Sequence, residues 1–171
     1  MIVELAEYER AVDEVRSTPA DLSAALFDEA ATGRAPLVSA HVAADRTDAA
    51  LVGFALWYVT YSTWTGRHGI WVEDLFVRPH ARGRGIGRAL LGSLAAECQQ
   101  RGYRRLEWWV LDWNSPALRF YESLGALPMA EWTVHRIDGP ALSRMASRAD
   151  ADGHRVDRPG SPGHREHPDR G

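Results

Sequence analysis

The sequence predicts an α/β sandwich around a mixed sheet, and three observations carry that reading. Helical periodicity comes first, then two strand-like runs joined by a polar turn, then strand, helix, strand, helix and strand in alternation. A largely apolar run from Ile70 to Val77 leads through a glycine-rich turn into Ile86, Leu90, Leu91, Leu94, Ala95 and Cys98, spaced for one face of a helix. Finally, a chain of 171 residues, 45% hydrophobic, can bury one core.

The elements follow in order. Ile2 to about Val15 reads as a helix, with Val3, Leu5, Ala6, Tyr8 and Val12 apolar among charges and no glycine or proline. Thr18-Pro-Ala-Asp21 supplies an N-cap, a proline at the first helical position and a carboxylate at the third, opening a helix to about Ala31 that Gly33 ends. Leu37 to Ala43 and Ala50 to Tyr61 read as strands, the second covered on both faces, and Ser62 to Gly69 as a loop carrying Trp64. After the central unit, Arg104 to Leu111 is a strand whose Trp108 and Trp109 face opposite ways. Ser115 caps a short helix with Pro116 in its first turn, Ala117, Phe120 and Leu124 share one face, and Gly125 stops it. Glu131 to Ile137 is a last strand and Pro140 to Met145 a short helix. The globular domain spans 1–146. From Ser147 the chain is charged or rich in histidine, proline, glycine, serine and alanine, and 147–171 is expected to be a disordered tail. Its His154, His164 and His167 read as solvated rather than metal-binding.

Charge and composition exclude several classes. A net charge of −3 offers no field for nucleic acid or an anionic membrane, although all 20 basic residues are arginine. The start, Met1-Ile-Val-Glu-Leu-Ala-Glu, has no leader pattern, and the longest apolar run, Leu51 to Val59, is too short for a membrane span. A soluble, cytoplasmic protein is expected. The single cysteine, Cys98, forms no internal disulfide and lies on the apolar stripe of its helix as core filler.

The turn from Arg82 to Gly87 is built for an anion. Alternating glycines let backbone N–H groups converge, the following helix adds its unpaired first-turn N–H groups and positive dipole end, and Arg82, Arg84 and Arg88 add charge. A Walker loop needs a lysine, and the chain has none. A dinucleotide fingerprint needs a third glycine where this chain has Arg88 or Leu90. A solvated glycine–arginine turn before an ordinary helix is the plain alternative.

The remaining pattern, Arg82-x-x-Gly85-x-Gly87, resembles the pyrophosphate-binding segment of the GNAT N-acetyltransferases. Further blocks are similar to spermidine/spermine (diamine) N-acetyltransferases: Glu4-Leu-Ala-Glu-Tyr8-Glu9, Val52-Gly-Phe-Ala, Tyr61 with Trp64, Val72-Glu-Asp-Leu-Phe-Val77, Trp113-Asn-Ser-Pro-Ala-Leu-Arg-Phe-Tyr121, Leu124-Gly-Ala, and Trp132 with Ile137-Asp138. The resemblance covers about Ile2 to Ala146. It implies the GNAT fold, a three-layer α/β/α sandwich with a mixed central sheet, entered here without the usual first strand, so that one sheet edge lies bare unless another segment covers it. It also implies acetyl-coenzyme A as cosubstrate, no metal, a small primary amine as acceptor and a homodimer.

Site residues follow from the same resemblance. An alkyl ammonium with pKa ~10.4 costs roughly 4 to 5 kcal/mol to deprotonate at neutral pH, so a base is needed. The resemblance gives that role to Glu73, and strand alternation sends Glu73 and Asp74 to opposite faces, so at most one faces the amine. Tyr121 is implied as the general acid for the thiolate, its alternative being plain packing beside Phe120. Backbone N–H groups of Leu75, Phe76 and Val77 are implied to meet the acetyl oxygen and pantetheine amides. Arg82, Gly83, Arg84, Gly85, Ile86, Gly87 and Arg88 would hold the diphosphate, joined by Asn114 and Pro116. Tyr8, Glu9, Glu73, Asp112 and Trp113 would line the amine pocket, with Glu131 a further candidate. Polyamines come first as acceptors and basic amino acids or their thioether analogues second. A protein or antibiotic amine, or a catalytically weak acyl-coenzyme A sensor, remain the alternatives.

Overall fold

A computed structural model of the chain describes residues 1–28 and 36–149. It divides into two compact units, one from Met1 to Phe120 and one beginning at Tyr121.

The first unit holds a four-stranded sheet in the order β1 (Ser39–Ala44), β2 (Leu51–Ser62), β3 (Arg67–Val77) and β4 (Leu106–Trp108). The first two pairings are antiparallel and β3 with β4 is parallel, so the sheet is mixed as expected. Among the described residues, no strand pairs with the outer edge of β1.

Helices cover both faces, and the alternation of β2 assigns them. Phe54 and Leu56 pack with Phe76 against Leu5 of α1 (Ile2–Glu9). Gly53 and Trp57 turn the other way, toward α3 (Ile86–Arg101): a Cβ on Gly53 would lie 3.3 Å from the Ile86 side chain, and the Arg101 guanidinium sits 5.9 Å from the Trp57 ring. Gly53 therefore lets the start of α3 approach the sheet. On α3, Leu90, Leu91, Leu94 and Cys98 are buried, matching the predicted stripe with Cys98 as filler. Burial raises the Cys98 thiol pKa.

Two helices are shorter than the periodicity suggests. The predicted helix to Val15 ends at Glu9, because Arg10 adopts a left-handed conformation (φ 62°) and its N–H and that of Ala11 turn back to Glu7 and Ala6. A 3₁₀ turn, Val12–Glu14, follows. Helix α2 (Pro19–Phe27) has the predicted Thr18–Asp21 capping box but stops at Phe27, not Ala31; Gly33 lies outside the described residues.

Three expectations fail for want of a partner or a better cap. The strand predicted over Arg104–Leu111 pairs only at Leu106–Trp108. Helix α4 (Ser115–Glu122) is capped by Asn114 rather than Ser115, the Asn114 side-chain oxygen accepting from the Ala117 N–H at 3.3 Å. In the second unit, 131–137 forms no strand, because the described residues of that unit contain no other strand to pair with. That unit does contain α5 (Gly139–Ala149), longer than the predicted Pro140–Met145 and reaching past Ser147, where the tail was expected to begin. The remainder of the predicted tail, with its three histidines, lies outside the described residues. No helix among the described residues is long and apolar enough to cross a membrane.

Candidate active site

Strand β3 organises the site, and an irregularity in it decides which side chains meet. In the β2–β3 ladder Trp57 pairs with Val72 and Leu56 with Asp74, leaving Glu73 as an extra residue, a β-bulge. Asp74 lies opposite Leu56 and so on the α1 face, and the Trp71 indole N–H donates to Glu73 Oε2 at 3.2 Å, drawing that carboxylate to the same face. The expectation that alternation separates the two carboxylates is therefore wrong: an inserted residue lets neighbours share a face.

Glu9, at the end of α1, joins them. Burial raises its pKa, and the Asp74 pKa is raised to about 6, chiefly by burial and then by the charges of Glu73 and Glu9. Tyr58, opposite Trp71, is also raised, first by burial and then by Glu73. Asp74 was not among the predicted site residues. Its signal was present in the Glu73-Asp74 pair, but only the register shows that both can serve.

Beyond the bulge β3 loses β4, since the parallel ladder ends at Val72–Trp108. The Arg78 N–H donates to Val52 O on β2 at 2.9 Å. By alternation the Phe76 N–H also points to β2, while those of Leu75 and Val77 point into the gap. Of the three predicted backbone donors, Phe76 is thus committed to the sheet; its ring is 3% exposed, in the core.

The glycine turn follows. Gly83 and Gly85 have φ of 75° and 80°, and nothing lies within 4 Å of where their Cβ atoms would be. Gly85 is the N-cap of α3 and offers no side-chain cap, so the first-turn N–H groups from Ile86 onward face open space. Gly87 packs near Phe120, 3.4 Å from its would-be Cβ. The turn is an open, donor-rich cradle that fits a diphosphate. Arg82 is held over it: its Nε donates to Val77 O at 2.9 Å, and its guanidinium lies 4.7 Å from the Tyr8 ring centroid and 5.7 Å from that of Phe76. Arg84 pairs with Asp45 of the β1–β2 turn at 3.1 Å, and Arg88 lies on the exposed first turn of α3. Hydrogen bonds from Thr47 and then Arg84 lower the Asp45 pKa to about 2.

Tyr8 connects the two ends of the site. Its hydroxyl donates to Asn114 Oδ1 at 2.9 Å, and its ring meets Trp113 at 6.1 Å. With Oδ1 accepting from both Tyr8 and Ala117, buried Asn114 holds α1 to the start of α4, leaving its amide N–H groups as its means of reaching a ligand. Trp113 is 46% exposed with the Arg10 guanidinium 5.2 Å from its ring; Asp112 is exposed beside it. Glu4 anchors the near end of α1 through two hydrogen bonds from Arg78, at 2.8 and 3.0 Å, which lower the Glu4 pKa. Pro116 sits in the first turn of α4 and Tyr121 in its last, the tyrosine being the first residue of the second unit; Glu131 is exposed in that unit.

Comparison with known proteins accords with this geometry. The model of the acetyltransferase (GNAT) family matches residues 4–126. A thialysine N-epsilon-acetyltransferase of Sus scrofa is 36% identical over 157 residues, covering 86% of this chain and 89% of that protein. A human spermidine/spermine N(1)-acetyltransferase-like protein 1 is 29% identical over 149 residues, 85% of this chain but 21% of that longer protein. Among solved structures, an integron cassette protein from the mobile metagenome of V. cholerae superposes with a TM-score of 0.68 at 27% identity, covering 84% of this chain and 86% of its own. With its mixed sheet, donor-rich turn and matched sequence, the chain belongs to the GNAT family and is an acetyl-coenzyme A dependent N-acetyltransferase that acts on a small-molecule amine.

Proposed function

We propose that the acceptor is a small aliphatic polycation, a polyamine or diamine, taken up at the bulge of β3. The observation that supports this most is the clustering of three carboxylates, Glu9, Glu73 and Asp74, on the α1 face, with charge enough for a substrate bearing more than one ammonium. In this reading Glu73 and Asp74 draw in the ammonium and accept its proton directly or through water. Asp74, with a pKa of about 6, is ionised at neutral pH yet basic enough to take a proton. Bound acetyl-coenzyme A supplies the activated acetyl thioester. Leu75 and Val77 offer N–H groups to the carbonyl oxygen and pantetheine amides, the turn from Arg82 to Arg88 holds the diphosphate, and Asn114 and Pro116 shape the near wall. Tyr121 is the acid for the departing thiolate, a phenol of pKa ~10 being a suitable donor. Tyr8, Asp112 and Trp113 complete the amine side.

A second acceptor class has its own support. The thialysine-acetylating relative matches over nearly its whole length. A basic amino acid would need a cation for its α-carboxylate, and Arg10, stacked on Trp113, is positioned to serve.

Release of free thiol from acetyl-coenzyme A tests both readings. Turnover with spermidine and little with lysine or thialysine supports the first; the reverse preference supports the second; no release with either class overturns the assignment. The same proposal includes a homodimer working in the cytoplasm without nucleic-acid or membrane partners. Exposed Trp132, Val134 and Ile137 in the second unit support self-association, and light scattering at the monomer mass of 19.0 kDa would contradict it.

A further inference from the structure

We propose that Trp71 and Trp109 form an aromatic wall beside the carboxylate cluster, Trp109 selecting acceptors by the length of their carbon chain and Trp71 fixing the Glu73 carboxylate. This rests on the acceptor binding at the β3 bulge, as above.

Three contacts build the wall. Trp71 stands on the α1 face opposite Tyr58, and its indole N–H reaches Glu73 Oε2 at 3.2 Å. The Trp109 ring meets the Trp71 ring edge to face, centroids 4.9 Å apart at 80°. Trp109 lies one residue beyond the end of β4, where pairing with β3 has stopped, and is 57% exposed. An indole fixed at one edge and more than half exposed presents apolar surface next to the acidic cluster without filling the core. A small-residue wall there would leave the chain of the acceptor in water. Against an indole, each methylene that reaches it gains part of the ~0.8 kcal/mol of full burial, which corresponds to roughly twofold to fourfold in kcat/KM per methylene.

The two tryptophans then have separable roles. Trp109 acts through surface area alone and sets a slope of rate against chain length. Trp71 is a positioning residue: its N–H restrains an exposed, bulge-borne carboxylate that otherwise has many rotamers, so its loss affects turnover more than acceptor affinity.

The experiment measures kcat and KM for unbranched n-alkylamines from propylamine to heptylamine, whose ammonium groups titrate alike, with saturating acetyl-coenzyme A. Wild-type kcat/KM is expected to rise about twofold to fourfold per methylene, and Trp109→Ala to flatten that rise below about 1.5-fold, with Trp109→Leu intermediate. Trp71→Phe, which keeps a ring and removes the donor, is expected to keep the slope and lower kcat about fivefold to tenfold with KM nearly unchanged. An unaltered slope in both Trp109 variants, or an unaltered kcat in Trp71→Phe, overturns the inference. If the wild-type protein releases thiol with amines but shows no chain-length slope, the wall is wrong and the acceptor site stands; if it releases none with any amine, the acceptor site itself is wrong.

Discussion

The phenol of Tyr8 donates to the side-chain oxygen of Asn114 at 2.9 Å, joining helix α1 to a turn 106 residues later. That oxygen also caps α4, so one amide ties α1 to the first turn of α4. Tyr8→Phe removes the donor and is expected to cost about 1 kcal/mol of stability, a fall of a few degrees in Tm, and to raise the amine KM several-fold. Calorimetric melting together with acceptor kinetics checks both; a variant identical to wild type in each would dismiss the link.

Asp74 gives a pH signature with a definite sign. Its folded pKa, about 6, lies above the ordinary 3.8, so folding favours its neutral form. The stability it contributes is complete below about pH 4 and is lost as pH rises through about 6. Asp74→Asn should therefore raise Tm at about pH 8 and leave it unchanged at about pH 4; the shift of roughly two units sets a ceiling near 3 kcal/mol, and solvent at the partly exposed carboxyl brings the gain nearer ~1 kcal/mol. Activity should move oppositely: wild-type kcat/KM rises as pH passes about 6, and the variant is slow and lacks that step. A variant retaining the step would remove Asp74 from the amine site.

Gly85 caps α3 at φ 80° with open space around it. Gly85→Val forces a β-branched residue into the left-handed region and places its methyl groups where a diphosphate would sit, so coenzyme A affinity should fall by at least tenfold. Isothermal calorimetry on folded protein, with circular dichroism as the control, decides it, and wild-type affinity would refute the cradle.

Tyr121→Phe should lower turnover on the order of a hundredfold while coenzyme A affinity stays within about twofold, the pattern of a lost proton donor. Pre-steady-state measurement of thiol release would show the chemical step slowed. Equal rates in both proteins would return Tyr121 to the packing role that its neighbour Phe120 already has against Gly87.

How much was readable in advance depends on whether a feature is local. The turn from Arg82 to Gly87 and the stripe of Leu90, Leu91, Leu94 and Cys98 were legible because glycine conformation and helical period act within a few residues. The bulge at Glu73 was not, since an extra residue exists only relative to the strand it faces, and Val72-Glu-Asp-Leu alternates no differently for containing one. Pairing partners explain the other misses: Arg104–Leu111 and Glu131–Ile137 both have strand composition, yet the first pairs with β3 for only three residues and the second finds no partner among the described residues of its unit. Asn114 took the capping role from Ser115 because its longer side chain reaches the Ala117 N–H and the Tyr8 hydroxyl at once.

The inserted residue in β3 also makes one carboxylate of the cluster separable from the scaffold by a single codon. Deleting Glu73 leaves Val72 opposite Trp57 and Asp74 opposite Leu56, so the sheet keeps its register and every core side chain its partner. Bulged strands bend and twist more strongly than regular ones, and the β3–β4 ladder stops one residue before the bulge. A straightened β3 would let β4 zip onward past Val72 and seal the slot into which Leu75 and Val77 aim their N–H groups. A gene shortened by three nucleotides would then encode a sound fold with one carboxylate fewer and a closed door.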